Sequence, residues 1–276
     1  MNVFDTMLSR YEIKTNDDYR NALHEVMQQI ALAGLYRGGF FDHAAFYGGT
    51  CLRIFHQLPR FSEDMDFSLL QPNKEFMLED YFKPIINEFS ALGREVVINK
   101  KVKKNESNIE SAFLKDDTAI YNLQFRTERT VRIKLELDTD PPLGFSTESK
   151  LLMLPYSFMT RCYTLPSLYA GKMHALLFRK WSNRVKGRDW YDFEWYVKNN
   201  IALDFTHFCK RVMQFESLKE EYLSHESFKE LLKEKIIKTN MDMIRSDVKP
   251  FLKDPEGINI WSANYFLQLV DLIIFI

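Results

Sequence analysis

Two neighbouring stretches of the sequence decide its fold: Phe46-Tyr-Gly-Gly-Thr-Cys-Leu-Arg53 and Phe61-Ser-Glu-Asp-Met-Asp-Phe-Ser68. Together they predict a strand, a glycine turn, a short helix, a loop and a second strand. In the second strand Asp64 and Asp66 alternate with apolar residues, so both carboxylates should lie on one face of the sheet. Adjacent carboxylates repel each other unless a cation lies between them, and magnesium prefers carboxylate oxygens. The stretch therefore predicts a Mg²⁺ site, with two ions expected.

The glycine pair that precedes Thr50 predicts a phosphate-binding turn. Glycines let the backbone approach a ligand closely. A helix that begins near Thr50 also directs free N–H groups and a partial positive charge at an anion. The carboxylate pair and this turn are therefore expected to form two halves of one site.

The residues around these features resemble the polymerase-β-like nucleotidyltransferase superfamily, whose pattern is a Gly-Gly or Gly-Ser turn, a short helix and an Asp-x-Asp strand. Within that superfamily the sequence is similar to the AbiEii/AbiGii toxin family of nucleotidyltransferases. The resemblance rests on the Gly-Gly-Thr turn together with Leu52, Arg60, Ser62, Asp64, Asp66 and Phe67. It implies nucleotide contacts from Gly48, Gly49, Thr50, Arg60 and Ser62.

A third carboxylate is expected from the predicted strand at 131–138. Its residues alternate between an apolar set and a charged set, and so charged a face suggests a strand that lines a wet cleft. Pairing among exposed charges on neighbouring strands is the structural alternative. In the family that the sequence resembles, a third carboxylate reaches the metals from a neighbouring strand. The resemblance therefore implies Glu136 beside Asp64 and Asp66 as a catalytic metal ligand, with Asp138 as the rival.

A second group of motif residues lies in the helical half of the chain. Lys172 falls in an apolar helical stripe, where its amine must reach outward or meet an anion. The same family's C-terminal motifs are similar to Lys172, Arg179, Gly187-Arg188-Asp189 and Tyr191-Asp192. The resemblance implies that Lys172 contacts the nucleotide's phosphates within the catalytic set, and that Asp189 is a catalytic or organising carboxylate.

Structural alternatives exist for this second group. Lys172 could reach outward at a seam between domains, and Asp189 could cap a helix at 189–198. Asp192 is expected to pair with a nearby base. The basic run from Arg179 to Arg188, interleaved with tryptophans, could hold an RNA backbone and stack a base, or it could be an exposed loop.

The pattern along the chain predicts an α+β protein with two domains. Residues 1–155 are expected to form a nucleotidyltransferase domain, a mixed sheet flanked by helices, whose strands end near Pro141-Pro142. Residues 151–165 are expected to be a linker. Residues 156–276 are expected to form a helical bundle without strands that completes the active-site cleft, with helical stripes at 167–181, 189–198, 204–223, 225–245 and 260–275.

Composition narrows the class of protein. The 276 residues include 37 basic and 38 acidic ones, so a nucleic-acid partner must be held by a local basic patch. Three separated cysteines suggest reduced thiols in a cytoplasmic protein, and no cysteine or histidine cluster has zinc-ligand spacing. The N-terminus lacks signal-peptide features, and the apolar end at 269–276 is too short to span a membrane. We expect those last residues to form a helical turn on the core or a partner surface.

The resemblance implies a magnesium-dependent enzyme that transfers a nucleoside monophosphate from a nucleoside triphosphate (NTP) to an acceptor hydroxyl. Family members look like toxins neutralised by a co-encoded antitoxin, and some modify the acceptor end of tRNA. RNA, in particular tRNA, is therefore the expected acceptor, and an antitoxin could be a partner. The alternatives are a small-molecule or protein acceptor, a non-catalytic nucleotide- or RNA-binding module of the same fold, and an interaction protein that self-associates through its apolar end.

Overall fold

The structure, a computed structural model, confirms the predicted α+β class. It describes residues 2–100, 118–125, 131–179, 185–216 and 223–276. Within these residues seven strands form one mixed sheet with helices packed around it. The sequence also predicts a basic turn at 100–108 and a hairpin of strands at 119–126 and 131–138 joined through 127–130. All residues of these two turns except Lys100 lie outside the described ranges.

The strands have the following bounds: β1 Ala44–Tyr47, β2 Met65–Leu69, β3 Val96–Lys100, β4 Thr118–Phe125, β5 Val131–Asp138, β6 Thr147–Leu152 and β7 Phe158–Tyr163. Their order across the sheet is β3-β4-β5-β2-β1-β7-β6. The central strand β2 pairs antiparallel with β1 and parallel with β5. This arrangement places the predicted Asp-x-Asp strand in the middle of the sheet, beside the charged face of β5.

The strand β5 follows its sequence pattern closely. Val131, Ile133, Leu135 and Leu137 are buried, and the charged residues between them are more exposed. The predicted hairpin of 119–126 and 131–138 is confirmed as β4 and β5, which pair antiparallel along their whole length. The period of two in β5 therefore determined which of its side chains reach the core.

The long helix α2 (Asn16–Arg37) covers the sheet, as predicted from its apolar spacing. Thr15 caps the helix and forms a capping box with Asp18, and Gly38 ends it. The helix packs against β5 and β7 on one side and against α4 (Phe82–Ala91) on the other. The helix α1 (Val3–Leu8) packs on α2 near the N-terminus.

The predicted linker at 151–165 is wrong, because this segment belongs to the sheet. The strands β6 and β7 form an antiparallel hairpin, and β7 pairs in parallel with β1 through Phe46 and Cys162. In β7 the alternate residues Phe158, Thr160 and Cys162 are buried. A threonine and a cysteine among these buried positions conceal the strand pattern in the sequence. The proposed domain boundary at 155 thus falls inside the hairpin, and the division into two domains stays a prediction.

Helices dominate the chain after β7, as predicted. They are α5 Leu165–Phe178, α6 Gly187–Lys198, α7 Phe205–Glu216, α8 His225–Lys238, α9 Met241–Val248 and α10 Ala263–Asp271. The predicted stretch at 225–245 is two helices, because Asn240 caps the start of α9. The predicted final helical turn is confirmed for 269–271, the end of α10, where Leu269 and Val270 are buried. It is wrong for the residues after it, where Phe275 forms a parallel bridge with Leu203. None of the helices in the described ranges is long and apolar enough to cross a membrane.

Gly34 permits the close crossing of α2 and α4. A Cβ atom on Gly34 would lie 2.5 Å from the Cα of Ile85. We expect Gly34→Ala to destabilise the protein by about 1–3 kcal/mol, because overpacking outweighs alanine's better helix propensity of about 1 kcal/mol. Urea unfolding at pH 7.5 measures the change.

Gly257→Ala is the matched control, since an added Cβ there meets no atom within 4 Å. We expect this variant to unfold within about 0.5 kcal/mol of the wild type. A Gly34→Ala protein as stable as the wild type would contradict the packing argument.

Candidate active site

The glycine turn lies directly against the central carboxylate of the sheet. Gly48 begins helix α3 (Gly48–His56) with a φ of +81°, a conformation that favours glycine. A Cβ at this position would lie 2.3 Å from Oδ2 of Asp66. The helix has no side-chain cap at Tyr47, so its first N–H groups stay available for an anion. The turn and the carboxylate are thus two halves of one site, as the sequence predicts.

The loop that carries Asp64 is held from two sides. The Thr50 hydroxyl donates a hydrogen bond to the carbonyl oxygen of Asp64. The side-chain amide of the buried Gln28 on α2 donates to the carbonyl oxygens of Ser62 and Glu63, each at 3.0 Å. Thr50 is fully buried, so its hydroxyl, expected at the nucleotide, positions the Asp64 backbone instead.

The pairing of β2 with β5 places a third carboxylate, that of Glu136, next to Asp64 and Asp66. Asp66 lies opposite Glu136 on β5, and both residues line the same cleft as Asp64. Asp138, the rival, lies opposite Ser68 and outside the lining residues. The Glu136 carboxylate is in contact with the Lys134 amine. Over the described ranges, no three histidine, cysteine or carboxylate side chains form a ready metal-ligand cluster.

Asp66 experiences an environment that opposes its charge. Burial and the neighbouring Asp64 carboxylate raise the pKa of Asp66 to about 6, although three lysines of the cleft act in the other direction. Hard divalent cations bind paired carboxylate oxygens of this kind and relieve their repulsion. The donor set at Asp64 and Asp66 therefore fits a magnesium ion.

The motif residues of the helical half form one buried ion network. The Lys172 amine lies 2.9 Å from Oδ1 of Asp189 and 2.8 Å from Oδ2 of Asp192. The Arg60 guanidinium binds both oxygens of Asp192 at 2.6 Å, and Arg179 reaches Asp189 at 3.1 Å. Asp189 and Asp192 thus orient three cations, and the prediction that Asp192 pairs with a base is confirmed.

Several sequence-based interpretations change with this geometry. Helix α6 has no side-chain cap bond, so Asp189 does not cap it, although it lies in the first turn, where a carboxylate complements the helix dipole. Arg60, expected at the nucleotide, lines the cleft but directs its guanidinium at Asp192. Trp190 is buried against Phe266 and cannot stack an RNA base. The tertiary fold assigns these side chains to internal contacts.

A cleft of about 390 Å³ joins both groups of residues. The site residues that line it are Gly48, Gly49, Arg60, Ser62, Asp64, Asp66, Glu136, Lys172 and Asp189. Sequence reasoning did not identify Tyr47 and Arg211, which line the same cleft, and it placed Lys186 only in a basic run that could bind RNA. Tyr47 directly precedes the glycine turn, and that position could have identified it. Arg211 has no feature in the sequence that distinguishes it from a surface residue. The cleft is thus walled by the sheet, α3 and the helices α5 to α7.

The ion pair between Arg60 and Asp192 should be critical for stability. Burial by itself would raise the pKa of Asp192, but Arg60 and Lys172 hold it below its ordinary value. We expect Asp192→Asn to cost about 3–5 kcal/mol at pH 7.5, because the buried Arg60 loses the carboxylate that it pairs with and Lys172 loses one of two. The pair's contribution is lost as the pH falls below about 4, so the difference should shrink there. Urea unfolding at pH 7.5 and again below pH 4 measures the difference in unfolding free energy between Asp192→Asn and the wild type.

Glu234→Gln is the control, because Glu234 pairs with Lys238 on the exposed face of α8. We expect little change from removing that ion pair. An Asp192→Asn variant that unfolds like this control would show that the buried network contributes little.

The raised pKa of Asp66 predicts that its charged carboxylate lowers the stability of the metal-free protein at neutral pH. An acid whose pKa rises on folding contributes stability that disappears as the pH rises through the folded value, here about 6. In metal-free buffer we therefore expect Asp66→Asn to be about 1–3 kcal/mol more stable than the wild type at pH 7.5. The gain should vanish near pH 4, as urea unfolding in EDTA would show.

The same unfolding experiment is repeated with magnesium in place of EDTA. Magnesium should stabilise the wild type at pH 7.5 and leave Asp66→Asn unchanged, because only the wild type keeps both carboxylates. Asp17→Asn, which alters an exposed carboxylate of α2, is the control. Equal stability of Asp66→Asn and the wild type at pH 7.5 in EDTA would argue against the repulsion.

Two solved structures share this fold over most of their length. MenT4, a nucleotidyltransferase toxin from Mycobacterium tuberculosis, has 14% identity and a TM-score of 0.60, covering 97% of this chain and 88% of its own. JHP933 from Helicobacter pylori has 19% identity and a TM-score of 0.53, covering 91% of this chain and 90% of its own. At these identities the similarity shows the fold alone. No curated protein matches the chain.

The family model described as the nucleotidyl transferase AbiEii toxin of a type IV toxin–antitoxin system matches residues 30–268. This range contains the glycine turn, the Asp-x-Asp strand and the ion network of α5 and α6. The family resemblance seen in the sequence is confirmed. Because the match covers most of the sequence, the chain belongs to the AbiEii family of nucleotidyltransferase toxins.

Proposed function

We propose that this protein is a magnesium-dependent enzyme that transfers a nucleoside monophosphate from an NTP to a hydroxyl of RNA, with the acceptor end of tRNA as the target. The observation that carries the proposal is the cleft itself. Its two carboxylates without an ion-pair partner among the described residues, Asp64 and Asp66, lie against the uncapped start of α3. Such a site can bind a cation and a polyphosphate together.

Asp64 and Asp66 would hold the metal, with Glu136 as the third carboxylate. Bound there, a divalent cation lowers the pKa of an acceptor hydroxyl and neutralises charge on the phosphates. Glu136 would have to exchange its contact with Lys134 for the cation. Its register position opposite Asp66 favours it over Asp138.

The remaining residues of the cleft bind and orient the substrate. The N–H groups of Gly48 and Gly49 face the anion at the positive end of α3. Lys172 stabilises charge on the phosphates, and Asp189 and Asp192 hold its amine in place. The Lys172 charge is thereby fixed before the substrate arrives, as expected for phosphoryl chemistry that depends on positioning.

The acceptor and the partner are inferred from the family. A type IV toxin family implies an antitoxin encoded with this chain. The proposed division into a nucleotidyltransferase domain (1–155) and a helical domain (156–276) gives the helices the task of selecting the acceptor. Helix α7, which contributes to the cleft wall beyond the motif residues, supports that assignment.

Incubation with each of the four labelled NTPs, magnesium and total tRNA tests the proposal. The wild type should label tRNA with one or more NTPs, and EDTA should abolish labelling. Asp64→Asn and Asp66→Asn should reduce the rate by at least about 100-fold while the proteins stay folded. Glu234→Gln, far along the chain on α8, should label tRNA like the wild type.

The destination of the label distinguishes the acceptors. Label on protein or on a small molecule would replace RNA as the acceptor and keep the reaction class. A wild-type protein that binds NTP with magnesium but transfers nothing to RNA, protein or a small molecule would overturn the enzymatic proposal and indicate a binding module. Undiminished transfer by Asp66→Asn would reject the assignment of the carboxylates.

A further inference from the structure

The charges that line the cleft are paired with few exceptions. Among the basic lining residues, Arg60, Lys134, Lys172, Arg179 and Arg188 each contact a carboxylate. Lys186 and Arg211 make no ion pair with any carboxylate of the described segments. Lys186 acts electrostatically on Asp66 and Asp189, so it lies among the carboxylates of the cleft. Arg211 lies on α7, on a wall that carries no motif residue.

The side chain of Arg211 is held in place but its donors are not satisfied. Its guanidinium packs beside Gly171, where an added Cβ would lie 4.0 Å from both Cζ and Nε. Phe215 lies beneath it, with the ring centre 5.3 Å from Cζ. The Nε atom is buried and has no hydrogen-bond partner in the described part of the protein. A cation–π contact stabilises the charge by about 1 kcal/mol but leaves these donors unused.

An arginine in this state is prepared for an anion. A partly buried guanidinium without a counter-charge carries a desolvation cost that a bound phosphate would offset. Arg211 packs against α5 at Gly171, the residue before Lys172, and lines the same cleft as that lysine. Lys172 contacts both Asp189 and Asp192, which also pair with Arg179 and Arg60, so part of its charge is offset within the network. A further cation in the cleft would add to Lys172 and the metal in balancing a triphosphate.

We propose that Arg211 binds the β- and γ-phosphates of the NTP and thereby makes the site select triphosphates over monophosphates. This inference rests on the proposed function, since it assigns one substrate contact of the same cleft. Arg211 adds a planar pair of N–H donors, which matches phosphate oxygens better than a lysine amine does. The N–H groups at the start of α3 supply further donors in the same cleft.

The test compares nucleotide binding in Arg211→Gln and the wild type by calorimetry with magnesium. Each of the four NTPs is titrated, followed by the matching nucleoside monophosphate. We expect Arg211→Gln to bind the preferred NTP about 10- to 100-fold more weakly and the monophosphate within about twofold. The affinity of Arg211→Lys for the NTP should lie between those of the wild type and Arg211→Gln, because lysine keeps the charge and loses the planar pair of donors.

Lys210→Gln is the matched control, because Lys210 precedes Arg211 on α7, is exposed and lies outside the cleft lining. It removes the same charge from the same helix and should bind every nucleotide like the wild type. Circular dichroism and thermal unfolding confirm that each variant is folded. Transfer assays should show a raised KM for the NTP in Arg211→Gln with a smaller change in kcat.

The outcomes separate this inference from the proposed function. If the wild type binds NTP and Arg211→Gln binds it equally well, Arg211 is not a phosphate ligand and the proposed function is unaffected. Equal losses for NTP and monophosphate would also overturn the inference, as would weakened tRNA binding with NTP binding intact. A wild type that binds no NTP at all would overturn the proposed function itself.

Discussion

A buried ion pair between Arg60 and Asp192 fixes the geometry of this protein's cleft. The two residues are 132 positions apart, and both are almost completely buried. Taking two charges out of water costs several kcal/mol per ion, so the pair persists only because its geometry is bidentate and Lys172 shares the carboxylate. Arg60 comes from the loop before the Asp-x-Asp strand and Asp192 from α6. The pair therefore joins the carboxylate half of the site to its basic half.

At Asp64 and Asp66, in contrast, two like charges lie side by side and repel each other. The Asp64 carboxylate disfavours the charge of Asp66, and Gly48 brings the backbone of α3 against Asp66. The surrounding bonds from Thr50 and Gln28 keep the loop in this costly arrangement. Functional sites commonly retain such repulsion because a ligand relieves it, and the stability lost locally is supplied by packing elsewhere. This arrangement of charge is what the proposed binding of a cation and a polyphosphate requires.

Family membership explains the chemistry of the site more completely than its specificity. The glycine turn, the carboxylates and Lys172 match motifs that the sequence shares with the family, and the proposed function assigns them to the part common to all NTPs. The walls contributed by α5 and α7 carry residues such as Arg211 that no motif assigns. Differences among members of one fold reside in such walls, because a fold supplies a scaffold and the grafted side chains determine the substrate.

The sequence by itself determined the features that depend on neighbours along the chain. Apolar spacing after Thr15 predicted the helix α2, the alternation of Ile133, Leu135 and Leu137 defined the faces of β5, and the glycine turn predicted the start of α3. The period of two put Glu136 and Asp138 on the charged face of β5, but only the register of the sheet placed Glu136 opposite Asp66.

Only the tertiary structure decided which distant side chains meet. Arg60 and Thr50 were expected at the nucleotide but are engaged by Asp192 and the Asp64 backbone. The hairpin of β6 and β7 was hidden because its buried face includes Thr160 and Cys162, and β7 is covered by β1 and α2. Arg211 appears in the sequence as an ordinary helical arginine. Contacts between residues that are tens to hundreds of positions apart leave no periodic signal, so packing alone reveals them.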